Sequence, residues 1–446
     1  MNKKITVVDM FCGAGGESTG IKQAMDNLGL DVNMYAINHW ERAIETHTLN
    51  HPYAEHFCES IEKLHPEEVV KNKRIVGLLW ASPSCTHHSN ARGGRPRSNQ
   101  ERATAEHVIS WLNQLYVERL IVENVPEFMS WGPLDRNGRP IQSRKGECFK
   151  AWINQIKAAG YKVDWKVLCA ADYGDPTTRK RLFIQAVRGK KKIVWPQPSH
   201  SEAACMFTDN RWVPARDIID WTIPGKSIFT RKKPLADATL ARIEAGIKKY
   251  WGEWAEPFII ILRGQSKDRS LDKPLPTVTT MGAHYALIEP FLTKFHGGDP
   301  NRNHSLNVPV PTVDCSNRVG LVEAMLIPQH SGGQLRPVSR PVPTVVTAGA
   351  IQLVEPFIIQ YYGNGEPRNI NQPVDTVTTH DRFALIEGTY KLDIRFRMLQ
   401  PNELAAAQGF PSTYQFTGTK TETVKQIGNA VPVNLASALV HSVMTA

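Results

Sequence analysis

The sequence predicts an α/β protein: a parallel sheet covered on both faces, with a repeat-containing, mostly β domain inserted into it. Three observations carry that expectation. Short apolar runs alternate with amphipathic segments through the first 190 residues, the composition changes near Trp195, and a period of about 32 residues then runs through the following stretch. A length of 446 residues also favours more than one hydrophobic core.

The elements follow in order. ITVVDMF (5–11) reads as a buried strand, STGIKQAMDNLG (18–29) as a helix and VNMYAIN (32–38) as a strand. ERAIETHTLNH (41–51) is helical, RIVGLLWAS (74–82) extended, TAEHVISWLNQLYVE (104–118) helical and RLIVENV (119–125) extended. CFKAWINQIKAAG (148–160) makes a further helix, and KVDWKVLCAADYG (162–174) and RKRLFIQAVR (179–188) two more strands. Such runs call for a parallel sheet covered on both faces, whose ligands gather at the carboxyl ends of the strands. Gly13, Cys85 and Glu123 all fall at such ends.

Beyond KKKIVWPQPSH the chain turns rich in Pro, Thr and Gly. KPLPTVTTMGAHYALIEPFL, VPVPTVDCSNRVGLVEAMLI, RPVPTVVTAGAIQLVEPFII and QPVDTVTTHDRFALIEGTYK repeat one pattern, with first prolines at 274, 309, 341 and 373. Each unit pairs a PxxTV turn and strand with an apolar strand, and a glycine-bearing segment follows. Stacked units sharing one core explain the period. Either the array is purely structural, or its loops, with Arg302, Arg336 and Arg368, form a surface that reads nucleic acid.

Composition bounds the partners. The apolar fraction of 41% and charged fraction of 22% suit a soluble globular protein, and neither a membrane span nor a signal peptide is expected, so the expected location is the cytoplasm. Seven scattered cysteines without a CxxC pair indicate neither a zinc site nor a disulfide framework. A net charge of +10 favours a polyanionic partner.

Two stretches point to chemistry. DMFCGAGGESTG places a glycine-rich turn at the start of a helix, where free amides can meet an anionic group, although a packing turn would look the same. In SPSCTHHSNARGG, Cys85 ends an apolar run and leads into a polar, arginine-flanked loop, which is no place for an inert structural thiol.

The order DMFCGAGG, SPSC, ENV, TRKR, RMLQPNELAAAQGFP and QIGNAVP resembles the signature series of the DNA cytosine-5 methyltransferases, over about residues 1–190 and 395–435. The resemblance implies a Rossmann-like S-adenosylmethionine-dependent methyltransferase domain made of residues 1–195 and completed by 418–446, with a target-recognition domain at 196–417. It implies double-stranded DNA as partner, a flipped cytosine as substrate and a monomeric enzyme without a metal.

It also implies roles for particular residues. Cys85 stands at the nucleophile and Glu123 at the proton donor to the base. Arg179 would touch the base or hold Glu123, with Arg181 as buttress. Phe11, Gly13, Ala14, Gly15 and Gly16 would cradle the cofactor, Trp40 would stack near its adenine, and Asn429 would close its pocket. The loop 86–100, with Arg92, Arg95 and Arg97, would close over DNA. His39 replaces the acid expected at the ribose, so either it or Glu41 makes that contact, and Glu59 and Ser60 compete for the acid after the third strand.

Three other readings compete. A zinc deaminase would need a cysteine pair and a proline directly before Cys85, and neither is present. An RNA cytosine-5 methyltransferase would not need the roughly 200 residues between TRKR and RMLQP. A vestigial, DNA-binding relative would lack transfer altogether.

Overall fold

The computed structural model describes residues 4–71, 75–83, 103–136, 139–202, 210–228, 231–237 and 393–446, together with Leu240, Ile243, residues 272–275 and the strands given below for the stretch 258–391. The chain divides into two compact units, one formed by residues 1–219, 272–283 and 400–446, the other by 220–271 and 284–399.

The first unit is built on seven strands: β1 (Ile5–Met10), β2 (Val32–Ile37), β3 (Glu55–Phe57), β4 (Leu78–Ala81), β5 (Arg119–Asn124), β6 (Tyr161–Cys169) and β7 (Lys180–Arg188). Their order is β3-β2-β1-β4-β5-β7-β6. The first five are parallel, but β7 runs antiparallel to both β5 and β6. The expectation of a parallel sheet needs that correction. Only about ten residues and no crossover helix join β6 to β7, and a connection that short closes only an antiparallel pair.

Alternate side chains go to opposite faces. Val8, Leu79, Leu120, Val122 and Ile184 pack under α3 (Glu106–Gln114) and α4 (Glu147–Ala158), which contribute Trp111, Leu112, Phe149 and Trp152. Val7, Leu78, Trp80, Ile121 and Phe183 face the other way. There they meet Ile21, Ala24 and Met25 of α1 (Gly16–Asn27) and Leu435, Leu439 and Val443 of the last helix. A sandwich of helix, sheet and helix results, as doubly wound patterning requires. A further helix, α2 (Glu41–Asn50), follows β2.

The C-terminal segment belongs to this unit. It forms α5 (Pro401–Ala407), α6 (Lys420–Asn429) and α7 (Val433–Met444), the last two separated at Ala430–Pro432, where Pro432 supplies no amide. By length and composition Lys420–Met444 could be weighed as a membrane span, yet 61% of its most apolar window is buried inside the protein, as in a core helix. Close approach of α7 to α1 is permitted by Gly20, where a Cβ would meet Ala436 Cβ at 2.6 Å and Val433 O at 2.7 Å. Polar side chains hold both ends of α7. Asp175 accepts the amides of Asn434 (3.1 Å) and Leu435 (3.0 Å), and Arg119 Nε donates to the Val443 carbonyl (3.0 Å).

In the second unit, strands Tyr285–Thr293, Phe258–Ile261, Asp268–Ser270, Asn303–His304, Asp393–Met398 and Lys226–Ser227 make one antiparallel sheet. Met325–Pro328, Arg336–Pro337, Ile351–Gln360, Arg368–Asn369 and Phe383–Lys391 make another. The apolar half of each sequence repeat is thus extended. The PxxTV halves fall outside the described residues, apart from the start of the first, where Leu275 bridges to Thr177 in the first unit.

Candidate active site

The register brings the motif residues to one edge of the sheet. Met10 lies beside Ile37 and Ala81, and Ala81 beside Val122, so the segments after β1, β2, β4 and β5 emerge together. Because β7 is antiparallel, its start lies at that same edge. Glu123 pairs in register with Phe183 and Asn124 with Leu182, which delivers Arg181 and Arg179 to the site.

After β1 the chain turns sharply. Phe11 (φ 70), Gly13 (φ 52) and Gly15 (φ 93) are all left-handed, and the strain at Phe11, a non-glycine residue, is typical of a functional turn. Cys12 N–H donates to Ile37 O (3.0 Å) and Gly15 N–H to Cys12 O (2.9 Å), while Gly16 opens α1. Ala14 is buried within the turn.

Beneath it lies a polar chain that the sequence reading missed. Ser18 Oγ donates to Asp9 Oδ2, His47 Nε2 lies 2.9 Å from Ser18 Oγ, and His47 Nδ1 lies 2.8 Å from His56 Nε2. With the Ser18 proton on Asp9, His47 must donate through Nε2 and accept from His56. Burial raises the Asp9 carboxyl to about 7, with Ser18 opposing, and lifts Glu17 and the Cys12 thiol well above their ordinary values. Burial also holds His47 well below its usual range and brings His51 down to about 4. His47 in the last turn of α2 and His51 at its C-cap were visible at i and i+4, a spacing that puts them on one side.

At the end of β2, Asn38 Oδ1 accepts the Trp40 amide (2.9 Å) and Trp40 caps α2. His39 is exposed, and Lys425 of α6 lies over the Trp40 ring, 4.3 Å from its centroid. After β3, Glu59 Oε1 accepts the Ser60 amide (2.8 Å) and Lys63 Nζ (3.0 Å); these two donors pull its carboxyl below the usual range. Asn429 ends α6 and is exposed.

Glu123 is 8% exposed, and its Oε1 lies 3.0 Å from Arg181 Nε. The partner of Glu123 is therefore Arg181, whereas Arg179, also buried, donates from Nη1 to Gly428 O of the α6 end (3.2 Å). Asn124 Oδ1 accepts the Val125 amide (2.9 Å), and its Nδ2 donates to Pro83 O (3.2 Å), tying the base of the loop after β4 to β5. Cys85, Arg92, Arg95, Arg97 and Arg302 lie outside the described residues; Arg336 and Arg368 each begin a two-residue strand of the second unit.

A small ligand carrying an aromatic ring and an anionic group fits what the β1 and β2 ends present: left-handed glycines without side chains, the start of α1, and the Trp40 indole. Asp9 Oδ1 is buried there with no hydrogen-bond partner among the described residues. Among the described residues no cluster of His, Cys, Asp or Glu could hold a metal.

The model of the family described as C-5 cytosine-specific DNA methylase matches residues 5–219 and 340–445. The chain belongs to that family. Type II methyltransferase M.AgeI of Thalassovita gelatinovora is 32% identical over 198 residues, 43% of this chain and 42% of that protein. DNA (cytosine-5)-methyltransferase 1 of Mus musculus is 27% identical over 221 residues, 46% of this chain and 13% of its own. The chain thus spans less than half the length of either relative. Among solved structures, the Entamoeba histolytica methyltransferase EhMeth aligns over 100% of this chain and 99% of its own, with a TM-score of 0.53 at 11% identity. An Escherichia coli prophage-encoded putative DNA modification methyltransferase aligns over 99% of both chains, at 0.51 and 16%. These likenesses place the sheet among methyltransferase folds.

Proposed function

We propose that this chain transfers a methyl group from S-adenosylmethionine to C5 of a flipped cytosine in double-stranded DNA. What supports this most is the pair Glu123–Arg181 at the carboxyl edge of the sheet, next to the Asn124 amide that anchors Pro83, two residues before Cys85.

Cytosine C6 is a poor electrophile until N3 gains a proton. Glu123, oriented by Arg181, donates that proton as the Cys85 thiolate bonds to C6. The electron pair of the C5–C6 double bond moves to C5, which becomes the nucleophile. When bound, S-adenosylmethionine supplies a methyl group on a positively charged sulfur. Loss of the C5 proton to a base then expels the Cys85 thiolate, restores the double bond and returns the N3 proton to Glu123. Arg179 orders the end of α6 beside the site.

Phe11, Gly13, Ala14, Gly15, Gly16, His39, Trp40, Ser60 and Asn429 would hold the cofactor. Extruding the base costs a few kcal/mol, offset by backbone contacts from Arg92, Arg95 and Arg97. The first unit, residues 1–219, 272–283 and 400–446, carries the chemistry in this reading, and residues 220–271 and 284–399, with Arg302, Arg336 and Arg368, carry target recognition.

The test is transfer of a tritiated methyl group to duplex DNA of mixed sequence by the full chain and by Cys85→Ala. The expected result is transfer by the parent, and DNA binding without transfer by the variant. Transfer to RNA alone, no transfer at any sequence, or transfer by Cys85→Ala overturns the reading.

A further inference from the structure

The glycine turn rests on side chains to which the chemistry above gives no part. A Cβ at Gly15 would stand 2.7 Å from Tyr414 Oη, 2.8 Å from His51 Nε2 and 3.0 Å from His47 Cδ2. The Tyr414 hydroxyl donates to the Ala14 carbonyl, and Thr19 Oγ1 donates to the Gly15 carbonyl (2.6 Å). His51 Nε2 lies 3.2 Å from both Tyr414 Oη and Thr19 Oγ1. Peptide planarity makes this consequential, because a carbonyl held on one side aims the next amide to the other. The Gly16 amide is thus turned away from the platform, and the Gly15 amide is turned to Cys12 O (2.9 Å), closing the turn above it.

Tyr414 differs from its neighbours in origin. It comes from the C-terminal segment, 400 residues from Ala14 in sequence. Its ring is fixed independently of its hydroxyl, by Phe410 (centroids 4.6 Å apart), Phe416 (5.2 Å) and its own amide on Pro411 O (2.9 Å). Burial pushes the hydroxyl far above its ordinary pKa, so it stays a donor.

We propose that Tyr414 is a positioning residue for the cofactor: by holding the Ala14 carbonyl from beneath, it sets the peptide planes of the turn on which S-adenosylmethionine lies. This rests on the reading of that turn as the cofactor site. A residue that never touches the cofactor, carried by the last segment of the fold, then governs its affinity.

The experiment compares the full chain with Tyr414→Phe, which keeps the ring and removes the donor. S-adenosylmethionine binding is read by calorimetry, and methyl transfer by kcat and KM for the cofactor. One lost hydrogen bond is expected to weaken binding about tenfold and raise KM alike, with kcat at saturation within about twofold. Thr417→Val controls for loosening of the segment, since Thr417 hooks it to Thr46 Oγ1 (2.9 Å) and to the Arg42 carbonyl (3.4 Å) of α2 without reaching the turn. It should lower the thermal midpoint and leave cofactor affinity unchanged. Tyr414→Phe binding as tightly as the parent, or Thr417→Val weakening binding equally, overturns the proposal alone. A parent that binds no S-adenosylmethionine overturns the reading of the turn and this proposal with it.

Discussion

Glu123 and Arg181 meet across the antiparallel seam of the sheet, Oε1 and Nε 3.0 Å apart, from strands that run in opposite directions. Both side chains are nearly buried, at 10% and 13% exposure, so the pair is held largely out of water. Arg181→Met should cost about 3–5 kcal/mol in urea unfolding, because it strands a buried carboxylate, and adding Glu123→Gln should recover much of the loss. A single variant as stable as the parent would mean that the pair is solvated.

The same carboxyl is expected to act in transfer rather than in cofactor binding. Glu123→Gln should slow methyl transfer by about 10²–10⁴-fold, the usual worth of a positioned acid, with S-adenosylmethionine affinity within about threefold. Single-turnover transfer and calorimetry check the two halves separately.

Asp175 acts as an N-cap from outside the helix it caps, on the amides of Asn434 and Leu435. Asp175→Ala should destabilise the first unit by about 1–2 kcal/mol, and Asp175→Asn, which keeps an acceptor, by less. Denaturant midpoints at matched slopes measure both.

Asp9 makes stability fall as pH rises. Its carboxyl lies at about 7 when folded against 3.8 ordinarily, so between those values the folded chain binds a proton that the unfolded chain does not. The contribution of Asp9 is complete below about pH 4 and is lost as pH climbs toward 7, by on the order of 1 kcal/mol per pH unit. His51, at about 4 against 6.5, works in the opposite sense and weakens the fold as pH drops below 6.5. Asp9→Asn should therefore remove a downward slope between pH 4 and 7, seen as the difference between parent and variant unfolding curves.

Lys425 over Trp40 ties α6 to the start of α2. An exposed cation over a half-buried indole contributes about 0.5–1 kcal/mol, so Lys425→Met should weaken S-adenosylmethionine binding only about two- to fivefold. Trp40→Ala should weaken it more. Equal effects would place the charge, not the ring, against the cofactor.

Much of this was legible in the chain because the signals were local. Alternating apolar runs located β1, β2, β4, β5 and their helices, and ENV placed Glu123 at a strand end. What escaped depends on contacts between distant segments. The direction of β7 follows from a missing helix, a feature easily overlooked, and it decides that Arg181 rather than Arg179 meets Glu123. Tyr414, Asp175 and Arg119 look like ordinary polar residues until the C-terminal segment returns to the turn, to β5 and to α1. The polar chain from Asp9 to His56 likewise combines four segments whose sequence neighbours give no hint of one another.

Gly20 lets α7 seat closely on α1, yet about 400 residues separate the two helices along the chain. At ~5–20 residues per second a ribosome needs roughly 20–80 s to deliver α7 after α1 has emerged. Through that interval the part of the Ile21, Ala24 and Met25 face that α7 will cover stays open, and the nascent first unit offers it to chaperones or to other chains. Joining residues 400–446 ahead of residue 1 by a short linker would abolish the wait, and the yield of soluble protein at high expression should then rise.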